Sequence, residues 1–341
     1  MRHALAIHGG PDAQGVPLDD FSTNANACGP CPQTLARVQQ ADATRYPDPS
    51  YTALRESLGA FHAVAPARVV LAASASECIH RLTAMAALQG ARAVSVPLHS
   101  YGDYAHAARA RGLAVLHDAA DDAGLQWACE PSSPLGRPEL QRAHWLLTPQ
   151  AEGELPLRVL DCAYAPLRLD GTPWPKTRPG IWQLWTPNKA LGLTGVRAAY
   201  AIAPTVDAAE QLAALAPSWP VGAHGVALLT AWMEQGVQQW LAECLPVLRA
   251  WKTAQQSLCT ALGWEVLPGS TANFFCAKPP LHQLSPRLLL LRAAGIKLRE
   301  CTSFGLPGVL RLGVLPPPAQ DALQAAWQQA CSVHPSLKNM P

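Results

Sequence analysis

The chain has 341 residues, 49% hydrophobic and 15% charged, with a formal net charge of +2. That balance excludes a disordered chain and allows a large core. Scattered Lys and Arg give no basis for nucleic acid or an anionic membrane as partner, and no apolar run is long enough to span a bilayer.

In chain order, residues 1–30 read as an irregular N-terminal arm, 31–225 as a large domain and 226–341 as a small C-terminal domain. The apolar run at the N-terminus is too short for a signal-peptide core, and the ten cysteines lack framework spacing, so they read as reduced thiols in a cytoplasmic protein. Cys28-Gly29-Pro30-Cys31 has the spacing of a redox pair but no strand before it, and reads as a Gly-Pro turn leading into a helix from Pro32. Leu54, Leu58 and Phe61 at helical spacing predict a helix from Ser50 to His62. Strands are expected at Ala67–Ala73, Ala91–Val96, Leu113–Leu116, Trp145–Thr148, Leu157–Leu160, Trp182–Trp185 and Arg197–Ile202. Helices are expected at Ser76–Leu88, opened by a serine cap, and at Tyr101–Arg111. Short apolar strands alternating with helices imply an α/β fold whose mainly parallel sheet is covered on both faces. From Val206 to Leu262 the pattern is helical, broken at Pro217, Pro220 and Pro246. A second α/β pattern follows, with strands at Trp264–Leu267, Asn273–Ala277, Ile296–Arg299 and Val309–Val314 and a closing helix from Asp321.

The chemistry concentrates after the strands, where open α/β sheets bind ligands. The run Ile181 to Trp185 leads into Thr186-Pro187-Asn188-Lys189-Ala190-Leu191-Gly192-Leu193-Thr194-Gly195-Val196-Arg197. A lysine just past a buried strand is where an amine can condense with an aldehyde cofactor, while a hydroxyl and a guanidinium nearby can hold that cofactor's phosphate. Asp161-Cys162-Ala163-Tyr164, Ser74-Ala75-Ser76-Glu77 and His99-Ser100-Tyr101-Gly102 follow other strands and could face the same crevice.

Taken with His8-Gly9-Gly10, Asp20 through Asn26, Arg45-Tyr46-Pro47-Asp48-Pro49, Phe304-Gly305-Leu306-Pro307 and Leu310-Arg311-Leu312-Gly313-Val314, these segments carry a resemblance over nearly the whole chain. The chain resembles the fold-type I pyridoxal-phosphate enzymes, in the group of histidinol-phosphate aminotransferases and threonine-phosphate decarboxylases. The resemblance implies a pyridoxal 5'-phosphate cofactor held by Lys189, with Asp161 at the pyridine nitrogen, Tyr164 at the ring oxygen and Tyr101 stacked on the ring. It implies a phosphate site made of Ala75, Ser76, Thr186 and Arg197, completed by Tyr46 from a neighbouring subunit, and hence a homodimer. Arg311 would bind the substrate α-carboxylate, Arg299 a substrate phosphate, and Asn24 and Asn26 would line the entrance. The His-Gly-Gly opening and Ser218-Trp219-Pro220-Val221 tilt the expected activity toward a threonine-phosphate decarboxylase of cobalamin biosynthesis. An aminotransferase of the histidinol-phosphate type is the alternative, and a non-catalytic protein keeping the fold is a third reading.

Two segments depart from the family pattern. Its Asn-Pro-x-Asn-Pro-x-Gly, one asparagine of which contacts the ring oxygen, is expected at Thr148-Pro149-Gln150-Ala151-Glu152-Gly153, shortened and without asparagine. Its Gly-Asn-Gly-Ala reads Ala72-Ala73-Ser74-Ala75, whereas its Pro-Thr-Tyr-Gly is matched by His99-Ser100-Tyr101-Gly102.

Overall fold

The computed structural model describes residues 9–117, 122–139, 155–175, 179–280 and 284–332, together with Trp145 and Thr148. Short β-branched and apolar runs form β2 (Val69–Ala72), β3 (Ala93–Val96), β4 (Ala114–His117), β5 (Leu125–Cys129), β6 (Leu157–Asp161), β7 (Ile181–Trp185) and β8 (Ala199–Ile202). They make one seven-stranded sheet in the order β2-β8-β7-β6-β5-β3-β4, in which β8 alone runs against its neighbours. Because side chains alternate across a strand, Val70, Ala72, Leu125, Trp127, Val159 and Leu184 enter one core, while Val69, Leu71, Tyr200 and Ile202 enter another. Helices α3 (Ala75–Leu88), α4 (Gly102–Ala110) and α5 (Val206–Ala213) cover the first face. Helices α2 (Thr52–His62), α6 (Ala223–Trp232) and α7 (Gln235–Ala261) cover the second.

A second sheet is antiparallel, in the order β12 (Arg299–Glu300), β13 (Leu310–Gly313), β10 (Phe274–Lys278), β9 (Glu265–Val266). Its apolar face packs on α8 (Leu284–Ala293) and α9 (Pro317–Ser332) through Phe275, Leu291, Leu310, Leu312, Leu323 and Trp327.

The N-terminal arm joins the two sheets. Its β1 (Asp19–Asp20) pairs in parallel with β11 (Ile296–Lys297), Asp12 forms ion pairs with Arg292 and Lys297, and Phe21 accepts a hydrogen bond from the Gly313 amide. The arm then crosses to the large sheet, where the Asn26 amide donates to Lys189 O at 2.9 Å and the Cys31 amide to Leu191 O at 2.9 Å. Gly29 and Gly192 touch there. A Cβ on Gly192, whose φ is +68°, would lie 3.0 Å from Gly29 Cα, so the lysine segment and the arm come this close only because both residues lack side chains. Helix α1 (Pro32–Gln39) follows, with Cys31 as its buried N-cap residue. Burial pushes the Cys28 thiol up to about 12, the opposite of what a reactive redox pair needs.

The structure corrects the expected elements in four places. Strand β5 was not anticipated. The strand expected at Trp145–Thr148 falls mostly outside the described residues, and Trp145 itself is helical. Helix α3 is capped by Ser74, whose side chain accepts the Glu77 amide, so Ser76 lies within the first turn and is not the cap. Pro246 sits inside α7. A proline there costs about 3 kcal/mol, offset by burial of Leu241, Cys244 and Leu248 on either side of it. Among the described residues no helix is long and apolar enough to cross a membrane.

Candidate active site

Asp161 ends β6 and is 4% exposed. One of its carboxylate oxygens accepts the Tyr104 hydroxyl at 2.7 Å and the other accepts the Ala163 amide at 2.9 Å. Burial raises its pKa, against the lowering effect of Tyr104, Ala163 and the Lys189 charge. Tyr104 is itself fixed, its ring stacked on Trp127 at 4.6 Å and 8°. The result is a desolvated carboxylate held by neutral donors, which suits a cationic nitrogen as its missing partner.

Lys189 follows β7 on a tight turn. The buried Asn188 holds that turn: its Oδ1 accepts the Thr186 hydroxyl at 2.9 Å, and its amide nitrogen reaches Thr194 O and Val196 O. The Lys189 amine lies 5.2 Å from the centre of the Tyr164 ring. The Tyr164 hydroxyl accepts Asn24 Nδ2 at 3.3 Å, and its ring meets Phe274 edge-on at 4.8 Å. Asn24 is 1% exposed and its Oδ1 has no hydrogen-bond partner. Asn26 is spent on backbone, with its side chain bonding Ala190 O and the Cys28 amide.

Of the phosphate candidates, Ala75 and Ser76 lie at the start of α3, where the first amides of a helix have no carbonyl to bind. Ala75 opens the helix, and the Ser76 hydroxyl lies 3.1 Å from the Tyr101 hydroxyl. Thr186 is buried, and Arg197 is exposed without a hydrogen bond or ion pair to any described residue. Tyr46 is 79% exposed and stacks on Trp219 at 4.4 Å. No contact among the described residues joins it to the Lys189 group.

Arg299 and Arg311 face each other across β12 and β13 and are 4% and 7% exposed. Arg311 donates to Ser22 O at 2.9 Å and weakly to Ser133 Oγ at 3.4 Å, and its Nε has no hydrogen-bond partner. Arg299 donates to Glu300 O at 2.5 Å and Ser303 Oγ at 2.7 Å. Burial, and then the Arg311 charge, lower the pKa of Arg299. Two buried cations opposed in this way repel, and an anion between them relieves the repulsion.

The contact between Arg311 and Ser133 relocates the Asn-Pro-x-Asn-Pro-x-Gly segment. Strand β5, beside β6, is followed by Glu130-Pro131-Ser132-Ser133-Pro134-Leu135-Gly136, which has the family spacing in full. It is neither shortened nor at Thr148–Gly153. Ser133 stands where the second asparagine would be. Glu130 stands at the first, in a buried ion pair with Arg168. Sequence reasoning also passed over Tyr104 as the partner of Asp161 and missed Asn188 as the brace of the lysine turn. The signals were present as two prolines three apart before a glycine, and as a tyrosine in the first turn of α4.

A buried carboxylate, an amine beside a tyrosine, a helix start and two opposed guanidinium groups fit pyridoxal phosphate and an anionic amine. The family model for aminotransferases of class I and II matches residues 18–127 and 159–326. The chain belongs to the class I and II aminotransferase family. It is a pyridoxal-phosphate-dependent enzyme. It is 29% identical over 337 residues to histidinol-phosphate aminotransferase 2 of Thiobacillus denitrificans, covering 92% of each chain. The histidinol-phosphate aminotransferase of Sinorhizobium meliloti, solved with pyridoxal-5'-phosphate, superposes with a TM-score of 0.81 at 21% identity, over 96% of both chains. The L-threonine-O-3-phosphate decarboxylase of Porphyromonas gingivalis superposes with a TM-score of 0.77 at 21% identity, over 92% of this chain and 99% of that one. At these identities the two structural likenesses are likenesses of fold.

Proposed function

We propose that this enzyme is an aminotransferase of the histidinol-phosphate type, moving an amino group between a phosphate-bearing amine and a 2-oxo acid. The observation that carries the reading is the opposed pair Arg299 and Arg311, a site for a dianionic group on a small amine or for the two carboxylates of a dicarboxylic partner. The curated relative aligned over 92% of the chain is named for that activity, whereas the likeness to the decarboxylase is one of fold. The order expected from the sequence, decarboxylation first, is therefore reversed.

Bound pyridoxal phosphate supplies an aldehyde that takes up an amine and a ring that accepts negative charge. The chain's residues do the rest. Lys189 holds the cofactor at rest, and its amine then takes a proton from the substrate carbon that bears nitrogen. Asp161, whose charged form Tyr104 and Ala163 favour against burial, would hold a proton on the ring nitrogen. Tyr164 donates to the ring oxygen. Ala75, Ser76, Thr186 and Arg197 hold the cofactor phosphate, and Asn24 orients Tyr164. Arg311 and Arg299 orient the substrate so that the bond lined up for breaking is C–H and not C–C. The same reading assigns residues 1–30 as arm, 31–225 as cofactor domain and 226–341 as small domain, and makes the enzyme a cytoplasmic homodimer in which Tyr46 reaches the partner's phosphate site.

The test is to incubate the cofactor-loaded enzyme with L-histidinol phosphate and 2-oxoglutarate. Formation of glutamate, dependent on both substrates, is expected. Release of CO2 from O-phosphothreonine without any 2-oxo acid would overturn the assignment.

A further inference from the structure

In His99-Ser100-Tyr101-Gly102, matched to Pro-Thr-Tyr-Gly, an imidazole stands at the proline position. His99 leaves the large sheet after β3, and its Nδ1 lies 2.7 Å from the Phe304 carbonyl, a residue 205 positions away in the turn Thr302–Phe304. A carbonyl only accepts, so His99 presents Nδ1–H to it. That turn touches both anion-binding arginines. The Phe304 ring lies 4.7 Å from the Arg299 guanidinium carbon and 5.6 Å from that of Arg311, and Ser303 Oγ accepts from Arg299. The turn ends at Gly305, whose φ of +77° lets the chain reverse under the imidazole. On the other side, His99 is two residues from Tyr101, whose hydroxyl meets Ser76 at the start of α3. One hydrogen bond thus ties the loop bordering the cofactor to the turn that shapes the arginine pair.

We propose that His99 is a positioning residue whose bond to Phe304 fixes how far the two arginines stand from the cofactor face, and so selects the length of the anionic amine accepted. A proline at this position, as in the family pattern, has no side-chain donor and cannot make the bond. The spacing of cation and reacting carbon is then fixed before substrate arrives, and a longer or shorter amine places its anion off the guanidinium plane, where bidentate pairing fails. The inference deepens the proposed activity and rests on it for the identity of the amine. It does not rest on it for the anion site.

The experiment compares wild type with His99→Ala, His99→Asn, which returns an amide N–H near the Nδ1 position, and His99→Gln, whose donor lies too far out. Each cofactor-loaded enzyme is titrated with inorganic phosphate, followed by the absorbance of the bound cofactor, and is then assayed with L-histidinol phosphate. Loss of one ordinary hydrogen bond weakens binding by roughly 3- to 10-fold. The expected result is that His99→Ala and His99→Gln weaken phosphate and raise KM by this factor with kcat within about twofold, and that His99→Asn recovers both. Equal phosphate affinity in all four proteins would overturn the proposal. So would equal loss in His99→Asn, or loss of cofactor retention with phosphate affinity unchanged. If wild type does not turn over L-histidinol phosphate, the proposed activity fails, while the phosphate titration still decides the role of His99.

Discussion

Replacing Tyr104 by Phe removes one hydroxyl and leaves the ring stacked on Trp127. Of the two donors to Asp161, the Tyr104 hydroxyl and the Ala163 amide, only the amide then remains. Below the ordinary carboxylate range Asp161 is protonated in both folded and unfolded chains, and the lost bond is an ordinary one of about 1 kcal/mol. Above its raised folded pKa the carboxylate is ionised, and the lost bond is charge-assisted, worth roughly 1.5–3 kcal/mol. The folded pKa of Asp161 is raised by burial, so the unfolded chain ionises first and the folded state loses stability as pH rises through that window. Without Tyr104 the folded pKa rises further, and the loss is larger. Tyr104→Phe should therefore destabilise the cofactor-free protein by about 1 kcal/mol more at pH 8 than at pH 3.5. The assay is the shift in urea midpoint at the two pH values, with Tyr101→Phe as the control hydroxyl deletion. The same destabilisation at both pH values would refute the reasoning, because Tyr104 would then not be supporting a charge.

Two further predictions follow from the backbone contacts. Gly192→Ala puts a Cβ 3.0 Å from Gly29 Cα and 3.1 Å from Pro30 Cα at a φ of +68°. It should cost on the order of 1–3 kcal/mol and loosen the lysine turn, read as a lower thermal midpoint together with faster loss of cofactor on gel filtration; an unchanged midpoint counts against it. The buried Lys252 donates to Ser270 O at 2.6 Å and Ser270 Oγ at 3.2 Å, and burial pulls its pKa from 10.5 down to about 8. Above pH 8 the folded protein has shed a proton that the unfolded chain still binds, so this group alone makes stability rise toward pH 10.5, by roughly 3 kcal/mol at most. Buried thiols act in the opposite sense. The difference between wild type and Lys252→Met should therefore carry the rise, and a difference that is flat from pH 7.5 to 10 would contradict it.

The legible parts of the chain were those in which one segment carries its own signal. The apolar run into Thr186–Lys189 predicted a strand and a site residue together, and Asp161 was marked by standing at the end of another. What was hidden depended on neighbours. Gln126 is 2% exposed in β5, and a buried polar residue in a parallel strand erases both the alternating and the continuous apolar pattern. Losing that strand moved the two-proline loop to the wrong place and hid Ser133, to which its contact with Arg311 draws attention. Ser74 and Ser76 are equally good caps by residue type, and only the bond to the Glu77 amide separates them. Tyr101 and Tyr104 stand three residues apart, so spacing alone does not separate their roles. The side of α4 that faces Trp127 and Asp161 decides between their roles, and that orientation is a property of the packed sheet.

The attachment of the cofactor to Lys189 is the claim on which the rest depends. Reduction of the loaded enzyme with borohydride, digestion and peptide mass analysis locate the attached group directly. The account predicts one phosphopyridoxyl mass increment on the peptide carrying Lys189, lost in Lys189→Ala. An increment on another lysine, or one that persists in Lys189→Ala, would contradict it.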